Sequence, residues 1–132
     1  MADIWQFAPS TQDRIMEFTL TGFWKDDDIA RWEVENKRRV DDISANGTRS
    51  FRNLADLRQF PTQRKDVAER IGKCMAYNYS QGLVKSAHIV SDVIAKIQMR
   101  NIAGINRPIP LGQFLTRDEA LKWLNDPASN AE

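Results

Sequence analysis

Cysteine and histidine are nearly missing from this chain: each occurs once, as Cys74 and His88. A single cysteine excludes an internal disulfide, and a lone thiol suits a reducing compartment, so a cytoplasmic setting is expected. A single histidine excludes a metal site or a catalytic pair built on several histidines. Long apolar runs are absent, so nothing reads as a bilayer span. The opening residues Met1-Ala2-Asp3-Ile4-Trp5-Gln6 lack a basic segment followed by an apolar run, so a signal peptide is not expected. Neither sign of charge dominates: 19 basic against 18 acidic residues leave +1, no electrostatic footprint for nucleic acid or an anionic membrane. The glycines at 22, 47, 72, 82, 104 and 112 form no phosphate-binding loop.

What is present suits one globular domain over residues 1–132, with loose polar ends at about 8–13 and 126–132. A chain of this length buries roughly 65–70% of its unfolded surface, enough for a core without staples. Residues 15–21 alternate, are β-prone and are closed by Gly22, which predicts a strand; residues 4–7 supply a short partner strand. Asp26-Asp27-Asp28 opens a helix, where carboxylates meet the positive end of the dipole. Its inner stripe is Ile29, Trp32, Asn36, Val40 and Ile43, and Asn46-Gly47 ends it. Asn36 is the odd member and needs a hydrogen-bond partner if buried.

Residues 51–57 read as the next strand, with Thr62 as N-cap of a helix over 64–81 that Gly82 stops. Ala87-His88-Ile89-Val90 is a strand, Ser91 caps a helix over 93–103, and 109–114 form a last, short strand behind Pro108 and Pro110. Thr116-Arg117-Asp118-Glu119 is a capping box for the final helix. The order is β-β-α-β-α-β-α-β-α, an α/β fold with a mixed, mostly parallel sheet flanked by helices.

Several segments stand in a familiar order over roughly residues 14–125: Leu20-Thr21-Gly22-Phe23-Trp24, Leu54-Ala55-Asp56-Leu57, Ala87-His88-Ile89-Val90, and the closing Leu111-Gly112-Gln113-Phe114-Leu115 before the capped Ala120-Leu121-Lys122-Trp123-Leu124. Together they resemble the SpoIIAA-like group of the STAS superfamily, small bacterial proteins that often finish this way. The resemblance implies a helix-flanked mixed sheet, often dimeric, and a non-enzymatic role: a partner-binding switch or a carrier of lipophilic molecules. It also places the phosphorylatable serine of the anti-sigma-factor antagonists just after an Asp-hydrophobic pair. Here Asp56-Leu57 is followed by Arg58, so that switch is absent.

Candidate site residues follow from architecture. Arg58, Gln59 and Phe60 stand where open α/β sheets bind ligands or partners, outside the carboxyl ends of strands, and Ser91 and Asp92 flank them at the next strand end. Arg58 is expected to offer a cationic fork to an anionic group. Trp24 and Trp123, two of four tryptophans, are candidates for an apolar groove or a homodimer surface holding a lipophilic guest, though core packing is the commonest fate of such rings. Asp26-Asp27-Asp28 lacks the spacing of a calcium loop, and no catalytic residue, metal ligand or cofactor is assigned. The alternative is a small thiol- or His-dependent enzyme using Cys74 and His88, which requires that folding bring the two together.

Overall fold

The computed structural model describes residues 4–8, 14–91 and 111–126. Its elements are β1 (Trp5–Phe7), β2 (Ile15–Thr21), α1 (Asp26–Ser44), β3 (Phe51–Gln59), α2 (Lys65–Ser80), β4 (Leu83–Ile89), β5 (Leu111–Phe114) and α3 (Arg117–Leu124). The helix expected over residues 93–103, Asp92, and the first residues of the last strand lie outside the described residues.

The five strands lie in the order β1-β2-β3-β4-β5. β1 is antiparallel to β2, and the other neighbours are parallel. This is the mixed, mostly parallel sheet expected. The crossovers β2-α1-β3 and β3-α2-β4 step in the same direction across the sheet, so right-handed connections put both helices on one face. There Met16, Phe18, Leu20, Phe51, Ala55, Leu57 and Val90 pack with Ile29, Trp32, Val40, Val67 and Ile71 as the larger core. α3 covers the other face, burying Ala120 and Leu124 against Ile15, Leu54, Ala87 and Ile89.

Local chemistry explains most boundaries. The Asp28 carboxylate accepts from Lys25 N–H at 2.8 Å and fixes the start of α1. Ala45, Asn46 and Gly47 end it with positive φ. Asn36 finds the partner its burial demands: its amide and that of Asn78 on α2 donate to each other at 2.8 and 3.1 Å. Glu33–Arg70 and Asp41–Tyr77 add contacts between the two helices, and Asp26 pairs with Arg64 just before α2. At α3, Thr116 Oγ1 accepts from Glu119 N–H at 3.2 Å, the expected cap.

Several boundaries differ from expectation. Thr62 does not cap α2; the helix begins at Lys65, with Arg64 as N-cap. The intervening Gln63 side chain is drawn inward instead, accepting from Trp24 N–H at 2.8 Å and donating to the carbonyls of Gly22 and Pro61. β4 begins at Leu83, well before Ala87, because Lys85 is buried rather than looped out. Its Nζ donates to the Trp123 carbonyl at 2.6 Å, while Arg52 donates to that of Leu124 at 2.6 Å. Two cations thus meet the negative end of α3 and hold it on the sheet. At the other end of α3, Arg117 forms a bidentate pair with Glu17 of β2, at 2.6 and 2.9 Å.

Candidate functional site

The strand-to-helix corner after β3 is built by a change of direction at Phe60-Pro61. β3 extends past Leu57 to Gln59, so Arg58 is a strand residue. Arg58 and Asp56, two positions apart, project to the same side of the strand. The guanidinium donates to both Asp56 oxygens, at 3.0 and 2.7 Å, and Arg58 N–H adds a third bond at 3.1 Å. The Arg58 bonds hold the Asp56 carboxyl below the usual carboxylate range, and Asp56 in turn raises the Arg58 guanidinium. The expected cationic fork is therefore internally neutralised. An incoming anion has to compete with Asp56.

The other candidates separate into core and rim. Phe60 is 3% exposed, and its ring meets Trp24 edge-on at 5.1 Å. Trp24 is fully buried, with its indole N–H donating to the Thr21 carbonyl at 2.9 Å. Trp5, Trp24, Trp32, Phe7 and Phe18 form one continuous aromatic cluster. Trp24 and Phe60, both considered for a binding surface, are thus buried in the core of the free domain. Trp123 is half-buried, packed on Phe114 at 5.5 Å and under Lys85 Nζ at 4.4 Å. Gly112 makes that pair possible: a Cβ there would stand 2.5 Å from the Phe114 ring. Gln59 and Ser91 are exposed, and Ser91 Oγ lies 3.4 Å from the Arg58 carbonyl. Asp92 falls outside the described residues. All the parallel strands end at this edge, so Phe23, Gln59, Ser91 and Leu115 share it. Phe23 and Leu115 are 54% and 66% exposed.

A second place emerges between the sheet and the α1–α2 layer. It is a cavity of about 30 Å³ whose lining includes Asn36, Asn53, Cys74, Asn78 and His88 among apolar side chains. Asn53 Nδ2 donates to Ser86 Oγ at 2.9 Å, and Ser86 Oγ lies 3.1 Å from His88 Nε2. His88 Nδ1 meets no protein partner. Folding thus brings Cys74 and His88 to one cavity, as the thiol-enzyme alternative required. Sequence reasoning flagged Asn36 by its place in an apolar stripe but missed Asn53, Ser86 and Asn78. A single polar residue in a buried parallel strand carries no periodic signal.

A crystal structure of an uncharacterized protein of the DUF3478 family from Shewanella loihica PV-4, described as having a SpoIIAA-like fold, superposes with a TM-score of 0.68 over 91% of each chain. The fold is SpoIIAA-like. Sequence identity is 16%, so the likeness is one of architecture. No family model and no curated protein matches the sequence.

On this SpoIIAA-like frame Cys74 and His88, the pair that the thiol-enzyme alternative needs, are both held neutral. Burial, reinforced by the Glu33 charge, pushes the Cys74 thiol up to about 12. Burial lowers His88 from 6.5 to about 4. A thiolate–imidazolium pair needs the opposite shifts. Among the described residues, no three His, Cys, Asp or Glu side chains gather as metal ligands, and no helix is long and apolar enough to cross a membrane.

Proposed function

We propose that this chain is a non-catalytic, STAS-like binding module that takes a regulatory protein partner on the edge formed by the carboxyl ends of its parallel strands. The observation carrying this reading is the composition of that edge. Exposed Phe23 and Leu115 flank the Asp56–Arg58 pair and Gln59, apolar contacts around a polar centre. Open α/β sheets recognise their ligands at this end of the strands. Arg58 stands where the resemblance places a serine, so the partner is bound without a phosphoryl switch at that position. A reducing cytoplasm, where a lone thiol remains a thiol, goes with this reading.

The neutral Cys74 and His88 argue against the thiol-enzyme alternative. The cavity's about 30 Å³ is too small for a lipophilic guest, since pockets for drug-sized ligands span roughly 300–1,000 Å³. A homodimer is the form of the proposal in which the partner is a second copy.

The test is quantitative cross-linking and affinity capture with wild type and a Phe23→Asp/Arg58→Ala/Leu115→Asp variant, both verified as folded by circular dichroism. Partners retained by wild type and lost by the variant are expected. Capture of the same proteins by both overturns the assignment of this edge. Native mass spectrometry of the purified chain is the second arm. A dimer dissociated by the triple substitution identifies the second copy as partner, whereas a co-purifying lipophilic adduct replaces the partner-binding reading with a carrier.

A further inference from the structure

The polar side chains around the internal cavity fall into two sets, one on the sheet and one on the helices. On the sheet, hydrogen bonds link Asn53 to His88 through Ser86. Asn53 Nδ2 gives a proton to Ser86 Oγ, and Ser86 Oγ lies 3.1 Å from His88 Nε2, an acceptor for the Ser86 hydroxyl when the ring proton is on Nδ1. A neutral imidazole accepting at Nε2 carries its proton on Nδ1. His88 is 2% exposed, and its Nδ1 has no protein acceptor. On the helices, the Asn36 and Asn78 amides spend one N–H and one oxygen lone pair on each other. Each retains a further N–H and lone pair. Both sets line the same cavity.

We propose that this cavity is a binding site for buried water that joins the two sets, accepting from His88 Nδ1–H and donating to an amide oxygen of the Asn36–Asn78 pair. Size and polarity both suit it. A buried water needs roughly 10–15 Å³ and two to four polar partners, and the cavity offers about 30 Å³. Charge selects the same guest, because the lining supplies no ion to balance an anion or a cation. The bound water connects the sheet layer to the α1–α2 layer through hydrogen bonds where apolar packing is interrupted.

Nuclear magnetic resonance of the wild-type protein in buffer tests this without a destabilising substitution. Long-range ¹⁵N–¹H correlation is expected to show the Nδ1–H tautomer of His88. Rotating-frame spectra are expected to show dipolar cross-peaks, opposite in sign to exchange peaks, from water to the His88 ring proton and to the Asn36 and Asn78 amides. In an Asn36→Leu/Asn78→Leu variant, which keeps the branched outline of each side chain and removes the helix-side acceptors, the water cross-peak to His88 should disappear. An Nε2–H tautomer, or a His88 ring without a water cross-peak in wild type, overturns the site. A cross-peak that persists undiminished in the double variant overturns the bridge between the layers.

Discussion

Mild acid is the perturbation that reads the buried histidine most directly. Burial lowers His88 from 6.5 to about 4, which means the folded state binds its proton more weakly than the unfolded chain does. Stability from this group is therefore complete above pH 6.5 and is lost as pH falls toward 4. At 1.36 kcal/mol for each pH unit separating the two values, the full loss is about 3 kcal/mol, with about 2 kcal/mol gone by pH 5. Above pH 5 the window belongs to this group. His88 is the only histidine, and the Cys74 thiol beside it in the cavity titrates far above. The paired carboxyls of Glu33, Glu35, Asp41, Asp56 and Asp66 are all lowered from ordinary values of 4.5 or 3.8, so their contribution is lost from about those values downward and overlaps the histidine only at the acid end of its window. Urea unfolding at pH 7, 6 and 5, followed by fluorescence of the buried Trp24 and Trp32, measures the slope. A His88→Gln variant should have lower stability at pH 7 but a nearly flat profile between pH 6.5 and 4.5. If wild type is equally flat, or if the variant falls as steeply, His88 is not the buried neutral base argued here.

Removing one side of the reciprocal amide pair, as in Asn36→Ala, should cost about 1–3 kcal/mol because the Asn78 amide loses its buried partner. The double change to leucine should cost less than the sum of the two single leucine variants; additive denaturation energies would show that the pair is not coupled. Gly82→Ala should destabilise by about 1–3 kcal/mol, since φ is +114° and a Cβ would stand 2.7 Å from the Arg49 carbonyl oxygen. Thermal melts check this, and an unchanged Tm would refute it. Cys74 should react slowly with a disulfide reagent at neutral pH and rapidly in denaturant, because its thiol is buried and pushed up to about 12. Fast native labelling would restore the thiol-enzyme reading.

The strands and helices were legible where one residue type answered a local demand. Ile15–Thr21 alternates and ends at Gly22, three aspartates open α1, and the Thr116 cap opens α3. Each signal lies within a few neighbouring residues, so no knowledge of the rest of the chain was needed. Asn36 was legible as a problem, an amide in an apolar stripe, but its solution on Asn78 was not. The stretch at Lys85 misled because a charged side chain normally ends a buried run. Its burial depends on carbonyls at the end of α3 and on the Trp123 ring, far along the chain.

The sequence by itself determined the order of elements, the parallel character of the sheet and the absence of a serine after Asp56-Leu57. These follow from periodicity, caps and covalent order, which are local properties. Only the tertiary structure decided that Arg58 is tied to Asp56, that Trp24 and Phe60 belong to the core, and that Cys74 and His88 share one cavity while both stay neutral. The physical reason is that charge pairing and desolvation depend on which surfaces meet, and strand spacing and helix packing bring together residues that sequence distance keeps apart.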